Sequence, residues 1–196
     1  MTAYRAPCAV ILAAGHGQRY QALAGQGVDK LLAPCQGLDG VERAVFEHCL
    51  LNLSQAAVRR VVVTRPHKRD VLALARAYDC EVVLLDSAGM GDSLAAGVTA
   101  SADAAGWLIC LGDMPFIQPR TFHSVLTALA DESICVPVGQ GGYGHPVAFG
   151  GAFKKSLLAL RGDQGARRLF AAGAVQQVLT DDPGIYRDID VPTDLG

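Results

Sequence analysis

The sequence alternates short, continuously apolar runs with segments of helical periodicity, and this alternation restricts the possible folds more than any other feature. Strands are predicted where Val, Ile, Leu and Ala dominate, at 9–13, 61–64, 81–85, 107–111 and 134–138. Between these runs, apolar residues recur at helical spacing, as at Val71, Leu74, Ala75 and Tyr78. Strands that lack polar alternation are buried on both faces, so the pattern predicts an α/β fold with a mostly parallel central sheet covered on both sides.

The same periodicity predicts two more helices, one from the stripe Phe122 to Leu129 and one from the stripe Val41 to Leu53. Further strands are expected at 175–179 and 186–191. Residues 20–30 show no periodicity, and we expect a mobile loop there. No linker or repeat interrupts the 196 residues, of which 51% are hydrophobic, so we expect one domain over residues 1–196.

Charge and cysteine usage exclude several classes of protein. The formal net charge is −2 and no Lys/Arg-rich run occurs, which argues against nucleic acid as the main partner. The six cysteines form no CxxC motif, and we interpret them as small core residues in a reducing compartment, without disulfide or zinc. No apolar run approaches the ~18 residues that span a bilayer, so a cytoplasmic protein without membrane contact is expected.

Three unusual segments are candidates for chemistry, and two of them follow predicted strands, where parallel sheets bind ligands. The first, from Ala14 to Lys30, combines Gly15 and Gly17 with two cationic side chains, Arg19 and Lys30, a combination that suits phosphate oxygens. It lacks the third glycine of a dinucleotide-binding loop and has no Walker A pattern, and a glycine-rich surface turn remains an alternative.

The other two segments carry carboxylates. In "LGDMP", Asp113 directly follows a strand and is placed to hold a divalent cation or, alternatively, to cap a turn. In "RDIDVPTDL", Asp188 and Asp190 flank Ile189, so on a strand both would point to one face. Solvated acids near a chain end are the alternative there.

Taken together, "VILAAGHGQR", "DKLLAP", "GMGDSLAAGV", "LGDMPFI", "GHPVAF", "GDQGARRL" and "DIDVPTDL" resemble the molybdenum cofactor nucleotidyltransferases. The cytidylyltransferases are most similar and the guanylyltransferases are near relatives. The resemblance extends over nearly the whole chain and implies a Rossmann-like three-layer fold of nucleotidyltransferase type.

The resemblance also implies roles for individual residues. Arg19, Lys30 and Asp113 are expected to be catalytic, and Asp113 and Asp190 to bind Mg²⁺, with Asp188 a weaker candidate. His145 and Pro146 are expected to contact the acceptor. The residues expected to bind the nucleotide are Ala13, Ala14, Gly15, Gly17, Arg19, Lys30, Ser93 and Gly97.

The implied reaction transfers CMP from CTP to the terminal phosphate of a molybdopterin-type cofactor and releases pyrophosphate. Three alternatives remain open: a guanylyltransferase using GTP, a sugar- or polyol-phosphate nucleotidyltransferase, and a chaperone that binds the cofactor without catalysis. Delivery of the product to a molybdenum hydroxylase or its chaperone is a further expectation. His16 lies inside the glycine loop and receives no role, and Trp107 is interpreted as a packing residue.

Overall fold

A computed structural model describes residues 6–86 and 89–195 and contains a mixed, mostly parallel sheet of eight strands. The sheet order is β10-β7-β9-β6-β1-β4-β5, and β8 pairs with β7 outside this path. The strands are β1 (Cys8–Leu12), β4 (Arg59–Thr64), β5 (Glu81–Leu84), β6 (Gly106–Leu111), β7 (Ser133–Gly139), β8 (Gly142–Tyr143), β9 (Val147–Gly150) and β10 (Ala174–Leu179). A separate antiparallel pair is formed by β2 (Pro34–Gln36) and β3 (Glu42–Ala44).

Helices cover both faces of the large sheet. They are α1 (Gln18–Ala24), α2 (Val45–Ser54), α3 (Arg69–Ala77), α4 (Met90–Ala100), α5 (Pro119–Thr127) and α6 (Lys154–Leu158). Short 3-10 turns occupy Lys30–Leu32, Gly151–Phe153, Ala166–Ala172, Pro183–Tyr186 and Pro192–Leu195. No helix within the described residues is both long and apolar enough to cross a membrane.

Strand β1 shows why this sequence folds into three layers. Ala9 and Ile11 join the core beneath α2, α3 and α5, whereas Cys8 and Val10 join the core beneath α4 and α6. Because successive strand residues point to opposite faces, an uninterrupted apolar run supplies both cores at once. The predicted Rossmann-like three-layer fold is therefore confirmed.

Hydrogen bonding places the site-bearing strands at the centre of the sheet. β1 pairs in parallel with β4 on one side and with β6 on the other. Consecutive segments of the chain thus leave the middle of the sheet in opposite directions, the topology that creates a binding crevice at the strands' carboxyl ends. β9 runs antiparallel between β6 and β7.

The structure corrects three local predictions. Residues 186–191 form no strand: a 3-10 turn ends at Tyr186 and an irregular segment follows. Residues 20–30 are not simply a loop, because α1 covers Gln18–Ala24 and buries Tyr20. Val41 lies outside the helix predicted from its stripe, since β3 intervenes before α2 begins at Val45.

The cysteine prediction is confirmed in part. All six cysteines are free thiols and all are buried. Burial raises the pKa of Cys49 and of Cys110, so these thiols are small apolar packing groups. Trp107 is fully buried and donates through Nε1 to the hydroxyl of Ser101 at 3.1 Å, in agreement with a packing role.

Candidate active site

The main cavity, of about 570 Å³, opens at the carboxyl ends of β1, β4 and β6. Its volume is in the range of known ligand sites. The first loop, the 3-10 turn at Lys30, the end of β6, the start of α4 and the C-terminal segment all contribute to its lining. The lining residues are Leu12–Tyr20, Lys30, Leu31, Arg65, Gly89, Met90, Ser93, Leu111, Asp113, Asp163, Asp188 and Asp190.

The loop after β1 is built for close approach of a ligand to the backbone. A Cβ added at Gly15 would meet no heavy atom within 4 Å, so the chain leaves open space there. Gly17 has φ 63° and ψ 32°, a left-handed conformation that favours glycine, and it starts α1. Ala13, Ala14, Gly15 and Gly17 all line the cavity, as predicted from the sequence.

Lys30 joins the two predicted metal-binding carboxylates. Its Nζ lies 2.6 Å from Asp113 Oδ2 and 3.2 Å from Asp190 Oδ1. Burial alone lowers the pKa of Lys30, but the charges and hydrogen bonds of the two carboxylates outweigh that effect and leave this pKa above its usual value. Lys30 therefore carries its positive charge at neutral pH and places it between two acids.

Arg19 approaches the same cluster from solvent. Its Nη1 lies 2.9 Å from Asp190 Oδ2, while the Arg19 side chain is 81% exposed and keeps other guanidinium donors accessible. Burial raises the pKa of Asp190, but hydrogen bonds and charge from Lys30 and Arg19 reverse this, and the pKa stands below its usual value. Two cations and two carboxylates thus meet at one end of the cavity.

The backbone fixes the position of the C-terminal acids. The N–H of Ile189 donates to the carbonyl of Asp113 at 2.9 Å, and the Ile189 side chain is fully buried. Asp194 Oδ2 accepts from the N–H groups of Asp190 and Val191, at 2.9 and 2.8 Å. Asp188 and Asp190 therefore both line the cavity, although the strand predicted to align them is absent.

The start of α4 forms the opposite wall. Gly89, Met90 and Ser93 line the cavity there. Gly97 does not: a Cβ on it would lie 2.3 Å from Val10 Cγ1 and 3.1 Å from Val63 Cγ2. Gly97 thus lets α4 pack closely on β1 and β4, and the nucleotide contact expected of it is corrected to a packing role.

The segment "GDQG" holds the first turn of α4 in place. The N–H of Gly91 donates to the Gly162 carbonyl at 2.7 Å, and the N–H of Gly162 donates to Asp92 Oδ2 at 3.1 Å. Any side chain at Gly89 would collide with the Gly162 backbone at 2.2 Å. The same contact brings Asp163 to the cavity wall.

Arg65, which directly follows β4, is a cavity residue that sequence reasoning missed. Its guanidinium is buried and donates from Nε to the Ala14 carbonyl at 2.7 Å. Nη2 contacts His16 Nε2 at 2.7 Å, and Nη1 pairs with Asp86. Arg65 therefore fixes the shape of the glycine loop from behind; its position after the strand "RRVVVT" was the available signal.

His145 lies outside the main cavity, in the wall of a neighbouring one. Its backbone N–H donates to the Ile185 carbonyl at 3.0 Å, and a cis peptide bond joins it to Pro146. Pro146 is buried and lines neither cavity. The acceptor contact expected of Pro146 is therefore not supported, whereas His145 remains a candidate.

The carboxylates fit part of a metal-binding shell. Asp113 and Asp190 already share a cation, the Lys30 ammonium. Across residues 6–86 and 89–195, no group of three or more His, Cys, Asp or Glu side chains could hold a metal ion. This matches the way Mg²⁺ binds in nucleotide sites, with one or two carboxylates and the remaining ligands from phosphates and water.

The fold and site define an α/β protein with a polyphosphate-binding crevice at the switch point of its sheet. Glycine-loop amides and two cations can meet phosphates, and facing carboxylates can meet a metal. The chain belongs to the MobA-like NTP transferase domain family, whose profile matches residues 9–178.

Comparisons with individual proteins agree with this assignment. The purine catabolism protein PucB of Bacillus subtilis is 36% identical over 111 residues, which are 53% of this chain and 53% of PucB. The match thus spans about half the length of that relative. A nucleotidyl transferase from Methanothermobacter (Mth528) superposes with TM-score 0.81 and 27% identity, covering 96% of this chain and 94% of that one.

Two more distant structures share the fold. Rv0371c from Mycobacterium tuberculosis superposes with TM-score 0.77 at 23% identity, over 96% of this chain and 95% of its own. The 4-diphosphocytidyl-2C-methyl-D-erythritol synthase of Anaerococcus prevotii superposes with TM-score 0.69 at 18% identity, over 97% of this chain and 93% of its own.

Proposed function

We propose that this chain, acting as a single domain over residues 1–196, transfers CMP from CTP to the terminal phosphate of a molybdopterin-type cofactor. The products are the cytosine dinucleotide form of the cofactor and pyrophosphate. The observation that supports this most directly is the convergence of Arg19, Lys30, Asp113 and Asp190 at one end of the main cavity.

In this proposal the reaction needs no general base. The acceptor's phosphate monoester is already a nucleophile near neutral pH, and it attacks the α-phosphorus of CTP in line while pyrophosphate leaves. Rate enhancement then comes from positioning and from charge stabilisation. Arg19 and Lys30 would stabilise the negative charge that grows on the leaving pyrophosphate, and the half-buried position of Lys30 strengthens its contribution.

Asp113 and Asp190 are the residues that would hold Mg²⁺. When bound, the ion supplies neutralisation of phosphate charge. Because Lys30 sits between these carboxylates in the free protein, its ammonium must move toward the phosphates when nucleotide and metal enter. A complex with manganese is known for Rv0371c, and this supports a divalent cation in the proposal.

The glycine loop and Ser93 would contact the nucleotide. Open space at Gly15 allows phosphates to reach the backbone amides, and Arg65 keeps the loop in that shape. Ser93 lies near the start of α4, where the helix dipole favours an anion. The choice of CTP over GTP rests on the resemblance of "GMGDSLAAGV" to the cytidylyltransferases.

The test is incubation of the purified protein with Mg²⁺, molybdopterin cofactor and either CTP or GTP at equal concentration. The proposal expects pyrophosphate release that requires both substrates and is faster with CTP. A clear preference for GTP would replace the cytidylyl assignment with guanylyl transfer. Absence of release with both nucleotides, despite cofactor binding, would favour the chaperone alternative.

Control reactions separate the remaining alternative. Sugar phosphates and polyol phosphates are offered as acceptors in place of the cofactor, with CTP and Mg²⁺ unchanged. The proposal expects little pyrophosphate from these acceptors. Equal or faster release with one of them would assign the chain to sugar- or polyol-phosphate activation.

A further inference from the structure

A second cavity, of about 150 Å³, lies beside the main one and shares Met90 and Leu111 with it as a common wall. Whole drug-sized ligands occupy about 300–1,000 Å³, so this space suits one part of a ligand. Most of its lining is apolar, with Leu94, Ile109, Val147, Phe149 and Phe170 among the residues that form it. We call it the side cavity.

Aromatic rings line the outer part of the side cavity. The rings of Tyr143 and Phe170 meet edge to face, with centroids 5.9 Å apart and an interplanar angle of 64°. Phe149 lies deeper, 6.4 Å from Phe170. Tyr143 is 40% exposed at the cavity mouth, an exposure that a flat ligand stacked on it would reduce. Aromatic rings favour flat partners in stacked or edge-on arrangements.

His145 supplies an unsatisfied polar group to this apolar space. Its Nδ1 is buried and has no hydrogen-bond partner among the described residues. A buried polar atom without a partner costs free energy, so a ligand that meets it gains the corresponding amount. A planar ring edge bearing N–H and N groups can satisfy an imidazole nitrogen in this way.

Charge considerations oppose an anion in the side cavity. Burial lowers the pKa of His145, and Arg167 acts in the same direction, while Asp113 and Asp188 oppose them without reversing the shift. The imidazole is therefore neutral at pH 7 and gives no counter-charge. An apolar lining also makes a desolvated anion costly.

We propose that the side cavity binds the flat, uncharged heterocyclic part of the acceptor, stacked against Tyr143 and Phe170 and hydrogen-bonded to His145 Nδ1. This inference rests on the proposed function only for the existence of such an acceptor. The acceptor's phosphate would then reach over the wall formed by Met90 and Leu111 toward Asp113. One cavity thus recognises the ring while the other performs the chemistry.

The test uses 6-hydroxymethylpterin, an uncharged fluorescent two-ring heterocycle, titrated into the full-length protein without nucleotide. Wild type is expected to bind it, and Tyr143→Ala and His145→Ala to bind it on the order of tenfold more weakly, the scale of one lost ring contact or hydrogen bond. His145→Asn keeps a polar atom near the Nδ1 position and is expected to retain most of the affinity. Leu179→Ala, at an exposed position on β10, is the matched control and should bind like wild type.

Calorimetry with CTP on the same variants distinguishes a local effect from a fold defect. Unchanged CTP affinity beside weakened pterin binding supports the proposal. Absence of pterin binding to wild type, equal binding by Tyr143→Ala and His145→Ala, or displacement of the pterin by inorganic phosphate would each overturn it. None of these results depends on nucleotidyl transfer, so failure of the proposed reaction is detected separately by pyrophosphate release.

Discussion

The Lys30 ammonium lies 2.6 Å from the Asp113 carboxylate, and in the free protein it occupies the position between Asp113 and Asp190 that a metal ion would share. We therefore predict that Lys30→Met raises the affinity of the nucleotide-free protein for Mn²⁺, because the competing charge is gone. The same variant should bind CTP more weakly. Electron paramagnetic resonance of free Mn²⁺ measures the first effect and calorimetry the second; unchanged or weaker Mn²⁺ binding contradicts the account.

Arg19→Lys tests the proposed phosphate contact at the cavity rim. Lysine keeps the charge but loses the planar, forked arrangement of donors that matches phosphate oxygens. We expect lower CTP affinity with little change in stability, because Arg19 is 81% exposed and exposed ion pairs contribute only about 0–1 kcal/mol. Calorimetry showing wild-type CTP affinity would place Arg19 outside the triphosphate site.

Gly97→Ala tests the correction made to the nucleotide site. A methyl group there would lie 2.3 Å from Val10 Cγ1 in the core beneath α4. Overpacking of this kind costs about 1–3 kcal/mol, more than the helix propensity gained by alanine, which is about 1 kcal/mol. Urea unfolding should show the loss, with CTP affinity unchanged under conditions where the variant is folded. Equal stability with weaker CTP binding would return Gly97 to the nucleotide site.

His145 should make stability depend on pH in the mildly acidic range. Its pKa in the folded protein is below the unfolded value of about 6.5, owing to burial first and Arg167 second, against Asp113 and Asp188. The unfolded chain therefore binds more protons just below pH 6.5. This contribution to stability is complete above about pH 6.5 and is lost as pH falls through the folded pKa.

Urea unfolding of wild type and His145→Asn from pH 5 to pH 7.5 isolates that contribution. The other histidines are common to both proteins, so their effects cancel in the difference. The stability advantage of wild type over the variant should shrink on acidification. A difference that stays constant or grows would mean that His145 titrates as it does in water.

The sheet and most helices could be predicted from sequence because burial on both faces leaves an unmistakable pattern. Strand β1, with Ala9 and Ile11 in one core and Val10 in the other, is an example. The segment around Ile189 was mispredicted for a physical reason: its alternation is typical of a strand, but its backbone bonds to Asp113 and to the Asp194 side chain. Side chain to backbone bonds of this kind compete with strand pairing.

The site was predictable where motifs bear it and unpredictable where tertiary packing does. The glycine loop, Lys30 and Asp113 all line the main cavity. Gly97 illustrates the opposite case, since only the packing of α4 on Val10 reveals its role. Arg65 illustrates another, because nothing local indicates that a guanidinium after β4 reaches back to the Ala14 carbonyl.

Asp113→Asn tests the central claim most directly. The substitution keeps the size of the side chain but removes one of the charges that Lys30 contacts and that the proposal assigns to the metal. We measure the initial rate of pyrophosphate release at saturating CTP, Mg²⁺ and molybdopterin cofactor for wild type, Asp113→Asn and Asp181→Asn. Asp181 is the matched control, an exposed acid paired with Arg120 at a distance from the cavity. The account predicts a loss on the order of 10²–10³ in rate for Asp113→Asn and a wild-type rate for Asp181→Asn. A folded Asp113→Asn protein that turns over at the wild-type rate would contradict it.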